Sequence, residues 1–595
     1  MSVPFPVRAR RALAFVCVLP LCAASALAST RYVDVNLATG ANNGTSWADA
    51  YQGVLGVQTA LTAAVAGDQI WVAQGTYLPT NTLTRSIHFN LKTGVELYGG
   101  FVGGETLLAQ RNFGVNPTIL SADLAGNDGS AIFTDNSFHV INGNGAAASA
   151  VVDGFFITGG NANGASTNQD RGGGLLLVTG SNATFRNCVV TTNRCTFGGG
   201  AGYINGAAPS FENVVFEFNV GGSFGGAFDM NGGTNTVFRR CVFNGNSAAR
   251  AGAVEIFAST NVSLTNCLFF GNTATNTGAN AGGGLWIGSS SNATLRFCTI
   301  VGNNSPNSTG AGLFSSATAN VANSILWFNT GSGGTQTSAN QIQGATVTYS
   351  SVQGGSAGTG NLAVDPAFVS IGGGDYRLSA GSPCIDAANN AASPAGTFGD
   401  LLNQPRFTDD PATVDTGAGV APLCDMGCFE FQPPPFFAFC SGDGSLVDHT
   451  TPCPCGNNGL AGRGCGHSFD ANGALLGASG TAAADDVVLH SEFEPANSFT
   501  LFMQHDADGD AVFHDGVLCA AGTLIRLRGR SAAGGEAFFP NSLFANDSTL
   551  TLSQRGAVTV GSGARRFYAA WYRNASTTFC PPATANVTNG FVIVW

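Results

Sequence analysis

Residues 225–272 read GGAFDMNGGTNTVFRRCVFNGNSAARAGAVEIFASTNVSLTNCLFFGN. One pattern occurs here twice: glycine (Gly225-Gly226, then Gly252), an apolar run, a small residue (Cys241, then Cys267) and an asparagine five positions later (Asn246, then Asn272). Working outward, glycines recur at 172–174, 198–200, 282–284 and 310–312, and asparagines at Asn193, Asn219, Asn303 and Asn329. From Asn193 onward the asparagines stand 26, 27, 26, 31 and 26 residues apart. A unit of this size is too small to bury its own apolar face, so it must stack on its neighbours.

The short runs inside each unit, TFRNCVV (184–190), VFRRCVF (237–243) and SLTNCLF (263–269), alternate or are β-branched and aromatic, which makes them strands. Each period holds two or three, and only a chain winding once per period pairs every strand with its copy above and below. The fold class this predicts is all-β: a right-handed parallel β-helix, with coils about 4.8 Å apart. Cys188, Cys241, Cys267 and Cys298 then fall in register with Val214 and Ser324, so that site wants a small buried side chain more than a thiol. Asparagine tolerates the left-handed conformation of a tight corner, and stacked amides bond to one another, which explains the asparagine ladder.

Further coils are expected at 151–161 (VVDGFFITGGN), in irregular precursors near 95–100, 118–120 and 139–141, and in a closing coil at 347–355. A helix near 54–66, followed by a strand at 69–72, would cover the open end of the first coil. The organisation read from the chain is a signal peptide (1–28), an N-terminal cap and first strands (29–92), the β-helix (93–360), a closing segment (361–432) and a C-terminal module (433–595).

Arg8, Arg10 and Arg11 before an apolar run, with Ala26-Leu27-Ala28 after it, form a secretory signal with an A-x-A site. Export is therefore expected, to the outside or the outer surface of a bacterium. Without the three signal arginines, 21 of the 24 basic residues remain against 36 acidic ones, a balance that disfavours nucleic acid and anionic lipid as partners. No later stretch is apolar for long enough to span a bilayer as a helix.

Beyond 433 the repeat vanishes, and alternating runs at 486–490, 498–504, 523–528, 549–554 and 567–572 suggest a β-sandwich. Cys440, Cys453, Cys455 and Cys465 have the wrong spacing for zinc, so disulfides are expected there and among Cys384, Cys424, Cys428, Cys519 and Cys580. Asp506, Asp508 and Asp510 offer oxygens at alternate positions, as a calcium loop would, although Ala511 and Val517 stand where a calcium hand needs glycine and glutamate. Structural calcium is the one cofactor the chain suggests.

Gly225-Gly226-Ala227-Phe228 together with Phe216-Glu217-Phe218-Asn219, Phe243-Asn244-Gly245-Asn246 and Phe269-Phe270-Gly271-Asn272 resembles the GGA(I/L/V) and FxxN repeats of chlamydial polymorphic outer-membrane proteins. The resemblance implies a surface-exposed adhesive β-helix. Asp365-Pro366-Ala367-Phe368, Asp375-Tyr376-Arg377-Leu378, Gly381-Ser382-Pro383-Cys384-Ile385-Asp386 and Asp425-Met426-Gly427-Cys428-Phe429-Glu430 are similar to the tail of secreted bacterial β-helix proteins with a choice-of-anchor C-terminal region. The chlamydial proteins end in a longer membrane barrel, which makes self-export doubtful here.

Many β-helices of the pectin-lyase-like fold cleave polysaccharides, so catalytic groups must be sought on one outer face. Counting from Gly200, Gly226 and Gly252, Tyr203, Asp229 and Glu255 share one offset in three consecutive coils, and apolar Phe228, Met230, Val254 and Ile256 between them point the carboxylates outward. One coil spacing, near 5 Å, resembles the carboxylate separation of retaining glycosidases. Against this, histidine is absent between His139 and His449 and lysine after Lys92, so the coils lack the usual base. The sequence favours a structural, adhesive or glycan-binding role at the cell envelope, with Tyr203, Phe228 or Trp286 meeting sugar rings or another surface partner. A glycoside hydrolase or lyase using Asp229 and Glu255 is the alternative.

Overall fold

Runs of three or four extended residues, each ended by a left-handed residue that is most often glycine or asparagine, oblige the chain to turn a corner before any strand grows long. The computed structural model describes residues 28–595 except 144, 277–279, 335–336, 395–398, 411–412, 434–435, 447–448, 548, 577 and 581. The expected signal peptide, as far as residue 27, and Pro434 and Pro435 lie outside the described residues. The chain forms two compact units, one running to Val347 and taking in 352–357, the other comprising 348–351 and 358–595.

In the first unit each winding lays down three short strands. One winding uses Gly202–Asn205, Ser210–Glu212 and Val215–Glu217, and the next uses Phe228–Asn231, Val237–Arg239 and Val242–Asn244. They pair in parallel one period apart, Ile204 beside Met230, Phe211 beside Phe238 and Phe216 beside Phe243. Repetition yields three parallel sheets of twelve, ten and nine strands, a right-handed β-helix of about ten turns.

Two corners per winding are left-handed. Asn187, Asn213, Arg240, Asn266, Phe297 and Asn323, with φ from 50° to 55°, each precede a member of the small-residue ladder. Thr192, Phe218, Gly245, Gly271, Gly302 and Phe328 each precede a ladder asparagine and are also left-handed. The expectation that the ladder asparagines themselves take this conformation is thus corrected: the residue before each one absorbs the bend, which frees the asparagine to turn inward.

There the six amides form a continuous buried column. Asn193 Nδ2 donates to Asn219 Oδ1 at 3.1 Å, and the links through Asn246, Asn272, Asn303 and Asn329 follow at 2.8–3.0 Å. Each Oδ1 also accepts the backbone N–H of the asparagine one coil earlier, and Gln341 Oε1 takes the final place, 2.8 Å from Asn329 Nδ2. Every amide is satisfied without water, the condition for a buried polar network to specify its fold.

Aromatic stacks fill the interior. Phe185, Phe211 and Phe238 stack at 5.3 and 4.9 Å, and Phe216, Phe243 and Phe269 at 5.1 and 4.4 Å. Each buried ring contributes roughly 2–3 kcal/mol. Cys188, Val214, Cys241, Cys267, Cys298 and Ser324 line one buried ladder, and none of these thiols is in a disulfide. Burial pushes the Cys188 thiol up to about 12, so it behaves as an apolar group. At the N-terminal end the helix Gly56–Ala63 presses Val57, Ala60 and Leu61 into the same core.

In the second unit, Phe368–Ser370 and Asp375–Leu378 form a hairpin. Beyond it lies an antiparallel sheet ordered Phe436–Phe439, Gly590–Val594, Arg565–Arg573, Phe499–His505 and Ile525–Ser531, with Ala585–Val587 paired to Arg565–Arg573. A three-stranded sheet of Leu475–Ser479, Val488–Glu492 and Ala537–Phe539 shares its core, where Leu476, Leu489 and Phe539 cluster with Phe502, Leu527 and Ile593.

The run at 549–554 is not a strand. Thr551 Oγ1 accepts from the Gln554 N–H and opens a short helix, Leu552–Gly556; the Thr-x-x-Gln capping signature overrides the alternation. Disulfides join Cys440 to Cys519, Cys453 to Cys465 and Cys455 to Cys580, so the C-x-C pair serves two different bridges and forms no zinc site. Cys384, Cys424 and Cys428, also expected to be bridged, are instead buried thiols outside any disulfide, packed in the closing segment.

Candidate functional site

The offset counted from the glycines is a true register. Tyr203 pairs with Asp229, Asp229 with Glu255, Glu255 with Trp286 and Trp286 with Phe314, forming one ladder on the outer face of a sheet. Phe228, Met230, Val254 and Ile256 point the other way, into the core. Phe228 is therefore an interior ring, and its candidacy for stacking on a sugar is withdrawn.

Outward here is not toward solvent. Asp229 is 4% exposed and Glu255 2%, and Tyr203 and Trp286 are also buried. Their cover comes from the residue just before each glycine cluster or one residue further upstream: Arg171, Phe197, Phe224 and Arg250. The Arg171 guanidinium lies 3.9 Å from the Phe197 ring centre, Phe197 packs edge-on against Phe224 at 4.9 Å, and Arg250 is sandwiched 4.4 Å from Phe224 and 3.9 Å from Trp286. Such contacts contribute about 0.5–2 kcal/mol each.

The glycines permit the cover. A Cβ on Gly198 would lie 2.2 Å from Asp229 Oδ2, so only a bare backbone lets this corner fold down onto the carboxylate. The sequence does carry this signal, an aromatic or arginine one or two residues ahead of the glycine, but it reads as a turn until the register is known.

Electrostatics divide the pair. Arg250 holds Glu255 by two hydrogen bonds, Nε to Oε2 at 3.1 Å and a second from Nη2 to Oε1. Burial raises the Glu255 carboxyl and Arg250 opposes the shift. Asp229 lacks such a clamp; burial, then the neighbouring Glu255 charge, push it up to about 7. Arg171 donates to Tyr203 Oη at 3.3 Å, as does Asn205 Nδ2 at 2.8 Å.

Chemically this is one acid that holds its proton near neutrality beside a second that an arginine clamps, under an aromatic lid. An acid whose folded pKa is raised binds more protons folded than unfolded, so stability falls as pH rises from about 4 to about 7 and levels off above. Asp229→Asn removes that dependence. Its melting temperature is expected to exceed that of the parent at pH 8 and to match it near pH 4, with a ceiling of about 4 kcal/mol from a shift of about three pH units. Thermal melts of both chains across this range test it, and parallel pH profiles for the two would refute it.

Asp508 and Asp510 lie in the strand Ala507–Phe513, and Asp506 immediately precedes it. Asp510 Oδ2 accepts from the Thr450 N–H and Oγ1 at 2.5 and 2.7 Å, and Asp506 Oδ1 from the Thr523 N–H at 2.6 Å. The structure does not converge these three carboxylates. Among the described residues the acidic group that does converge is Asp386, Asp409 and Asp415, which spacing alone did not single out.

Residues 173–352 match the family model described as right handed beta helix region. The match covers the clear coils and leaves the rest of the chain unassigned. Among solved structures, the crystal structure of pectate lyase Pel9A aligns with 68% of this chain and 98% of that chain, at 16% identity and a TM-score of 0.38. No curated protein sequence matches. Among the described residues no helix is long and apolar enough to cross a membrane.

Proposed function

We propose that this protein is exported to the bacterial envelope or its surroundings, where the β-helix serves as a rigid structural or adhesive element that meets glycan or protein along its coils. The observation that carries this reading is the seal over the carboxylate ladder: Asp229 and Glu255 are closed off by Phe197, Phe224 and Arg250, and the rings of Tyr203 and Trp286 are spent on internal packing. Rings that do face solvent in the first unit, Phe113, Phe218 and Phe257, are single contact points. The acidic balance and the secretory signal agree with an extracellular partner other than nucleic acid.

A polysaccharide-cleaving enzyme is the second reading. It is favoured by one specific feature, the acid near 7 at Asp229 beside the arginine-held Glu255, which has the division of labour that general acid catalysis uses. The two readings part on one experiment. The full chain, Asp229→Asn and Glu255→Gln are assayed for binding on a glycan array and for cleavage of a polysaccharide panel. Binding retained by both variants with no cleavage by the parent supports the adhesive reading. Cleavage by the parent that falls at least a thousandfold in either variant overturns it.

A further inference from the structure

The closing segment 361–432 carries nine carboxylates, Asp365, Asp375, Asp386, Asp400, Asp409, Asp410, Asp415, Asp425 and Glu430, but only two basic residues, Arg377 and Arg406. Arg377 is taken by Asp375 at 2.6 Å and Arg406 by Glu430 at 3.1 Å. Backbone amides satisfy others. Asp400 accepts from the N–H groups of Leu402, Gln404 and Glu430, and Asp425 from those of Asp386 and Phe431.

Asp386 is different. Its side chain is fully buried, Oδ2 accepts from the Asp410 N–H at 3.1 Å, and Oδ1 has no hydrogen-bond partner. A buried carboxylate oxygen without a partner is costly, and it demands an explanation. The same carboxylate faces Asp409, half-buried, and Asp415, exposed, with one oxygen of each residue within 4.8 Å of the others. Oxygens that share a calcium ion lie 2.3–2.6 Å from it, and so at most roughly 5 Å from one another. Arg565 Nη1 holds Asp409 Oδ2 at 2.6 Å, and burial with the neighbouring carboxylates pushes Asp386 up to about 8, so a cation at this point would relieve the repulsion and take the place of the proton.

We propose that Asp386, Asp409 and Asp415 bind one calcium ion. An all-oxygen donor set without histidine or cysteine suits a hard cation, and a site buried on one side and open on the other suits calcium, which accepts irregular coordination completed by water. Magnesium demands a near-ideal octahedron and gives up water reluctantly, so it fits poorly. The ion would tie the turn at Asp386 to the loop bearing Asp409 and Asp415, two parts of the second unit more than twenty residues apart in sequence.

The full chain, stripped with EDTA, is titrated with calcium chloride by calorimetry and by thermal melting. One ion per chain is expected, with a rise in melting temperature of several degrees at about 10 mM calcium. Asp386→Asn should abolish binding. Asp415→Asn, at an exposed position that leaves folding intact, should weaken it at least tenfold, while Asp506→Asn and Asp510→Asn should leave it unchanged. No binding, binding insensitive to Asp415→Asn, loss in the Asp506 or Asp510 variants, or equal affinity for magnesium would each overturn the assignment.

Discussion

Asn246→Ala is expected to lower the stability of the β-helix by about 3–5 kcal/mol. Asn246 Nδ2 donates to Phe216 O at 2.9 Å and to Asn272 Oδ1 at 2.9 Å, while its Oδ1 accepts the N–H and the Nδ2 of Asn219, both at 3.0 Å. Alanine strands the Asn219 N–H where no water reaches, breaks the chain of amides and leaves a void in the column. Asn244, in the same coil but half-buried on the outer side, supplies the control: Asn244→Ala should change stability by less than about 0.5 kcal/mol. Urea unfolding of the two variants decides the matter, and equal midpoints would mean that the column is ornamental.

Gly226→Ala should be worse still, costing about 4 kcal/mol or more and leaving little soluble protein. A Cβ there would lie 2.1 Å from Gly252 O and 2.4 Å from Ser247 N, both backbone atoms of the next coil, so the coils themselves must part. The same collision recurs along the stack, at 2.0 Å between Gly252 and Gly283 O. Gly206 offers the comparison: it is left-handed, φ 60°, but has nothing within 4 Å of its would-be Cβ. Gly206→Ala should cost only about 1 kcal/mol, the strain of the corner alone. Comparable melting temperatures for the two variants would refute the argument that coil spacing, and not backbone freedom, fixes the glycine.

The coils were legible because their information is periodic. Cys188, Val214 and Ser324 share no chemistry but one register, and counting finds it. The ladder through Tyr203, Asp229, Glu255 and Trp286 was legible for the same reason. What covers that ladder was not, since the approach of Phe224 and Arg250 depends on a corner folding back, and alternation says only which way a side chain leaves its own strand. Similarly Leu552–Gly556 reads as alternating until Thr551 and Gln554 are seen to cap one another. Asp386, Asp409 and Asp415 follow no period at all, and irregular chain alone brings them together.

The winding from Asn272 to Asn303 is longer than its neighbours, 31 residues against 26 or 27. Its amide link is nonetheless 2.8 Å, and Ala251 still bridges to Gly282 one coil on. By residue count the surplus falls between the strand Thr273–Ala274 and Gly282. One coil can therefore carry five more residues than its neighbours while the hydrogen-bonded column inside keeps its step, so the length of a winding and the pitch of the stack are set independently.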